Sequence, residues 1–221
     1  MNLLLYILIL IIPLFAQIKL TSTYSKFKKE NNSNGLSGFE VARKILDANG
    51  LSDIYVVETK GNLTDHYDPN RRVIKLSKDI FHGTTIASAS VAAHECGHAI
   101  QDKDNYTFMR IRSFLVPIVN LVSYFSWFAI FIGFIAEIYN FFLFGIGLIS
   151  ITLIFQLVTL PVEFDASKRS KEELSKLNLI SANEEDGVRD MLNSAAMTYV
   201  ASVLTSILEI IRLFVLYNDN K

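Results

Sequence analysis

Long apolar runs without charge alternate along this chain with shorter polar stretches, and the runs match the thickness of a bilayer. Asn2 to Ile18 carries no charged side chain and is about long enough to cross a hydrocarbon core. No lysine or arginine precedes it, and Leu14-Phe15-Ala16 lacks the small residues of a cleavage site, so it reads as an uncleaved anchor. Phe114 to Leu160 holds a single charged residue, Glu137, and is too long for one helix. It predicts a hairpin of two spans turned around Glu137-Ile138-Tyr139-Asn140. Ala195 to Tyr217 is interrupted by Glu209 and Arg212, which lie three apart and can pair on a helix. That segment either spans the membrane or lies in its interface.

The polar stretches predict a small α+β unit. Thr21 to Gly35, with Asn31-Asn32-Ser33-Asn34, reads as a linker. Ser37-Gly38-Phe39-Glu40 has the spacing of a capping box and opens a helix with Val41, Ile45 and Leu46 on its apolar side, closed by Gly50. Ile54 to Glu58 and Val73 to Leu76 are short β-branched runs and predict two strands. A proline-free helix over Ile86 to Gln101, capped by Thr84, follows the second. A strand in that place is positioned either to pair with an extended peptide or to serve as a plain core strand. The fold class expected is α+β, mostly helical: an integral membrane protein whose helix over Ile86 to Gln101 carries the His94-Glu95-Cys96-Gly97-His98 spacing of a small zincin-like cytoplasmic domain, with about four membrane-spanning helices. Its divisions are an anchor over 1–18, a cytoplasmic region over 19–113, a transmembrane hairpin over 114–160, a cytoplasmic segment over 161–194, and a transmembrane or interfacial helix over 195–217.

Composition agrees. Hydrophobic residues make up 51% of the 221 positions, more than a water-soluble domain of this size requires, and the formal net charge is −1. No basic, aromatic-interleaved patch argues for nucleic acid. Charge placement sets the orientation. Lys19, Lys26, Lys28, Lys29, Lys103, Arg110 and Arg112 flank one group of membrane ends, and Lys168, Arg169, Lys171, Lys176 and Arg189 another, whereas the hairpin turn has none. The positive-inside rule then places 19–113 and 162–194 in the cytoplasm, with a multi-pass chain in the cell membrane. The single cysteine, Cys96, excludes an intrachain disulfide and a cysteine-cluster metal site.

His94-Glu95-Cys96-Gly97-His98 carries the chemistry. Residues four apart share a helix face, so two imidazoles can hold one Zn²⁺ while the intervening glutamate reaches a water on it. Cys96 is two residues from each histidine and turns away from that face, as a packing residue. Catalytic zinc usually has three protein ligands. Glu163, in Pro161-Val162-Glu163-Phe164-Asp165 after the third apolar segment, is the expected third, with Asp165 as the alternative. Glu95 is the candidate general base. His66, Tyr67 and Arg169 are candidate donors to an oxyanion, each weighed against an ordinary turn or surface role, and His82 reads as structural.

Three stretches together resemble the YugP-like neutral zinc metallopeptidases of prokaryotic membranes. They are Leu63-Thr64-Asp65-His66-Tyr67-Asp68-Pro69, Ala93-His94-Glu95-Cys96-Gly97-His98-Ala99-Ile100-Gln101 and Leu160-Pro161-Val162-Glu163-Phe164-Asp165-Ala166-Ser167. The resemblance implies an integral membrane zinc endopeptidase acting on a protein or peptide, with His94 and His98 as ligands and Glu95 catalytic. A more distant similarity is to HtpX-type and CAAX-processing proteases, which place an aspartate four residues after the glutamate ligand. Here that position is Ser167 and an aspartate comes at two, so the residue that steadies the site is left open. A scaffold that keeps the motif without turnover, or a zinc hydrolase of another amide or ester, are the competing functional readings.

Overall fold

A computed structural model describes residues 2–219, which form two compact units. One unit comprises the chain up to Gln17, Thr107–Pro161 and the chain from Met197 onward; the other comprises Ile18–Tyr106 and Val162–Ala196.

The first unit is helical. Helix α1 (Asn2–Phe27) contributes its beginning, and the chain returns in α5 (Thr107–Ile135) and α6 (Tyr139–Lys176). The turn between α5 and α6 falls at Ala136–Ile138, with Glu137 at φ 56°, as the lone charge in the apolar run predicted. Gly133 and Gly145 lie where a Cβ would strike the backbone of the opposite helix, so these positions let α5 and α6 approach closely. Ile130, Phe142, Ile146, Ile149 and Leu213 form the unit's core, the last from α7 (Glu185–Asp219). Glu209 and Arg212 do pair, and Arg212 also donates to the Tyr6 hydroxyl at 2.7 Å, which satisfies both charges within the apolar helices. Outward-facing side chains are apolar: Phe114 is 70% exposed and Tyr124 82%. Water would penalise such a surface and lipid would not. Among the described residues four helices are long and apolar enough to cross a membrane: Leu3–Phe27, Thr107–Ile135, Tyr139–Lys176 and Ala182–Asp219. The last includes the C-terminal segment that the sequence left between spanning and interfacial.

The second unit packs helices on a small sheet. Strand β1 (Tyr55–Thr59) runs parallel to β3 (Val73–Ser77), and β2 (His66–Asp68) pairs antiparallel with β3 on its other side. The third strand was not legible, because its three residues contain no β-branched side chain. Its presence decides between the two roles left open for the strand before the histidine helix. With neighbours on both edges, β3 has no free ladder for an extended peptide, and a short helix α3 (Lys78–His82) intervenes before the histidine helix. Helix α2 (Gly38–Ala48) has the expected capping box, Ser37 with Glu40, and buries Val41, Ile45 and Leu46.

One correction concerns Thr21 to Gly35. Helix α1 continues to Phe27, with Tyr24 and Phe27 buried. The following residues are bonded rather than loose: Asn32 donates its backbone N–H to Thr84 at 2.8 Å, and Ser33 donates to Glu184 at 2.6 Å. Asn32 is itself buried, holding Leu36 through both ends of its amide. Asn32 and Ser33 here are bonded to fixed partners, which composition alone cannot tell from a solvated linker.

A candidate metal centre between two helices

Helix α4 (Ile86–Lys103) starts where expected but is capped by Thr85 rather than Thr84, the Thr85 hydroxyl accepting from the Ser88 N–H at 3.2 Å. Its face toward the core is built from Ala87, Ala89, Ala92, Ala93 and Ala99, all buried. Small side chains let other elements approach, and the second part of α6 comes close at Gly97. A Cβ on Gly97 would stand 2.5 Å from the Ala166 carbonyl oxygen, a backbone atom that cannot swing aside. Ser170 ties the same two helices, donating to the Ala93 carbonyl at 3.1 Å. The glycine inside the motif thus has a geometric task that spacing did not reveal. Gly97→Ala is expected to cost about 1–3 kcal/mol by overpacking and to weaken metal binding with it. Thermal unfolding and zinc titration of the detergent-solubilised variant check this; unchanged values for both would show that the helices have room.

The close approach brings Glu163 to the histidines. Its Oε2 lies 3.2 Å from His94 Nε2 and 3.7 Å from His98 Nε2, and the two imidazole centroids are 4.8 Å apart. One ligand atom from each of the three residues falls within 4.8 Å of the others. Of the two carboxylates left open, Glu163 meets the imidazoles. Asp165 instead accepts from Gln101 Nε2 at 2.8 Å and Arg169 Nε at 2.6 Å.

Electrostatics fit a cation at this point. Glu163 is 2% exposed, and burial opposes its ionisation; contacts to His94 and His98 nevertheless hold its carboxyl well below the ordinary range. A buried carboxylate facing two imidazole nitrogens is costly unless positive charge is shared among them. Two nitrogen donors and one carboxylate oxygen match the three protein ligands of a catalytic zinc site. Glu95, also buried, is pushed up to about 7, first by burial, then by the charges of Glu163 and Asp65; His94 and the backbone N–H of Tyr67 pull the other way. A divalent ion beside it would draw that value down again.

The remaining candidates are placed as follows. The Tyr67 hydroxyl donates to Asp102 at 2.9 Å. Arg169 spends Nε on Asp165 and Nη1 on Asp104, at 2.6 and 2.5 Å. His66 is exposed on β2 and its Nδ1 lies 2.8 Å from the Thr64 carbonyl. A neutral ring must put its proton there, leaving Nε2 with a lone pair and nothing to donate. His82 pairs with Glu58 at 2.7 Å on the surface, and wholly buried Cys96 sits against the Ala42 carbonyl. Two neighbours of the imidazoles went unread. Ser167 Oγ lies 3.4 Å from His94 Nδ1, and Gln101 Oε1 lies 3.0 Å from His98 Nδ1. The i+3 spacing of Gln101 from His98 on a helix was the available signal.

The chain belongs to the family described as "putative neutral zinc metallopeptidase", whose model matches residues 2–218. It is 42% identical over 207 residues to the "putative membrane protease YugP" of Bacillus subtilis (strain 168), covering 94% of this chain and 92% of that protein. No solved structure matches it.

Proposed function

We propose that this protein is a membrane-bound zinc endopeptidase that hydrolyses peptide bonds at the cytoplasmic membrane face. The observation that carries the reading is the convergence of His94, His98 and Glu163 on one point beside the buried Glu95. Family membership and the likeness to a membrane protease agree with it.

His94, His98 and Glu163 would hold the ion. When bound, zinc supplies Lewis acidity, lowering the pKa of a water to about 7 and polarising a carbonyl oxygen. The rest of the chemistry belongs to the chain. Glu95 accepts the proton of the water that attacks the peptide carbonyl and returns it to the leaving amine. Glu95 is buried beside the metal point, where a carboxylate can take the proton of the water and release it to the amine. Gly97 keeps α4 and α6 close, which holds Glu163 against the two imidazoles.

Digestion of a mixed peptide library by the detergent-solubilised chain tests the activity. Cleavage should disappear on chelation and return with added zinc; cleavage indifferent to the chelator would contradict the reading. Orientation rests on the positive charges flanking the spans, and it has its own check. A topology reporter inserted within 138–140 should report from outside the cytoplasm. A cytoplasmic signal from that insertion would reverse the layout.

A further inference from the structure

The hydrogen bonds around His98 form a chain whose donors and acceptors can be assigned in only one way. Arg169 is always protonated and only donates, so Asp165 Oδ2, at 2.6 Å from its Nε, is an acceptor. The Gln101 side chain lies 2.8 Å from that same Oδ2 and 2.8 Å from the Val162 carbonyl oxygen. Both neighbours accept, so the group facing them must be the amide nitrogen with its two hydrogens. The opposite orientation would set three acceptor oxygens against one another inside the protein, where unpaired polar atoms are expensive. The amide oxygen of Gln101 therefore faces His98 Nδ1, at 3.0 Å, and an oxygen there requires a proton on Nδ1. In the neutral ring the other nitrogen, Nε2, then carries the lone pair, 3.7 Å from Glu163 Oε2 at the metal point.

From this geometry we infer that Gln101 is a positioning residue: clamped by Asp165 and the Val162 carbonyl, it fixes the His98 proton on Nδ1 and presents the Nε2 lone pair to the metal point. The inference rests on the zinc reading of that point for its consequence, though not for the hydrogen bonds themselves. Gln101 is wholly buried and has both ends of its amide occupied, which is more restraint than packing needs. An amide in this role differs from a carboxylate partner. It orients the ring without adding a negative charge beside a site that already contains Glu163 and Glu95. Arg169 acts one step further out, holding Asp165 against Gln101 while its other arm reaches Asp104.

Two readouts test this on the full chain in detergent: zinc affinity by chelator competition, and the position of the His98 ring proton by ¹⁵N NMR of the metal-free protein. The chain has 4 histidines, so assignment by single substitution is practical. With the ring neutral, wild type should carry the His98 proton on Nδ1. Gln101→Leu should move it to Nε2 and lower zinc affinity about 10–100-fold. Should that variant not fold, Asp165→Ala keeps the test alive, because Asp165 is a quarter exposed; a few-fold loss in the same direction is expected. Gln101→Glu alone should also weaken binding, since an acceptor would face Asp165, and adding Asp165→Asn should restore most of the loss. A wild-type proton on Nε2, or unchanged zinc affinity in Gln101→Leu and Asp165→Ala, would overturn the inference. Wild type with the proton on Nδ1 but no affinity for zinc would support the role of Gln101 and instead refute the zinc reading.

Discussion

Glu95→Gln is expected to lower peptide hydrolysis by about 10²- to 10⁴-fold while leaving one zinc bound per chain. Glutamine has the same shape and can accept a hydrogen bond from the Tyr67 N–H, but it cannot take a proton from an attacking water. Glu95 points from the helix between His94 and His98 and is not among the atoms that cluster at the metal point, so occupancy should not depend on it. Removing its buried negative charge is also not expected to harm the fold. Its carboxyl is raised by burial, the mark of a group whose ionisation the folded state resists. In the metal-free protein such a group contributes stability below its unfolded value of 4.5, and the contribution is lost as pH rises through about 7. The variant should therefore flatten that part of the pH–stability curve. The check is paired: peptide turnover and zinc content on the same preparation. Full turnover with zinc in place would remove Glu95 from the reaction.

Glu163→Ala should act on the other quantity. Structural four-ligand sites gain roughly 10–16 kcal/mol from zinc, or about 3 kcal/mol per ligand, so losing one ligand should weaken binding on the order of 10²-fold. Chelator competition on the detergent-solubilised variant measures it. Glu163→Gln is the informative companion, because it keeps the volume but not the charge that faces both imidazoles. A similar loss in both variants assigns the effect to the carboxylate charge. Undiminished affinity in both would leave Asp165, or a residue not yet considered, as the third ligand.

The spans were legible because a bilayer imposes a length and forbids charge, and both constraints are written directly into residues such as the uncharged flanks of Glu137. His94 and His98 were legible because one helical turn separates them. Glu163 could be nominated only from its place after a span, since it lies 65 residues beyond His98 and no local rule measures that separation. Gly97 was not legible, Gln101 was marked only by its i+3 spacing from His98, and Ser167 only by its place four residues after Glu163. Their roles arise from contact between α4 and α6, and a glycine, an amide and a hydroxyl have no chemistry that marks them until a neighbour is known. The same reason explains the misread segment after Ile18. Asn32 and Ser33 have the composition of a linker and the bonds of a cap, and only the partner atoms on Thr84, Leu36 and Glu184 decide between them.

Everything chemical here depends on three side chains from two separated helices gripping one ion. Metal analysis of the purified full-length chain in detergent at neutral pH measures that most directly. The expected result is one zinc per chain, released by a strong chelator and regained on adding zinc. A folded preparation that contains no metal and takes up none from excess zinc would contradict it.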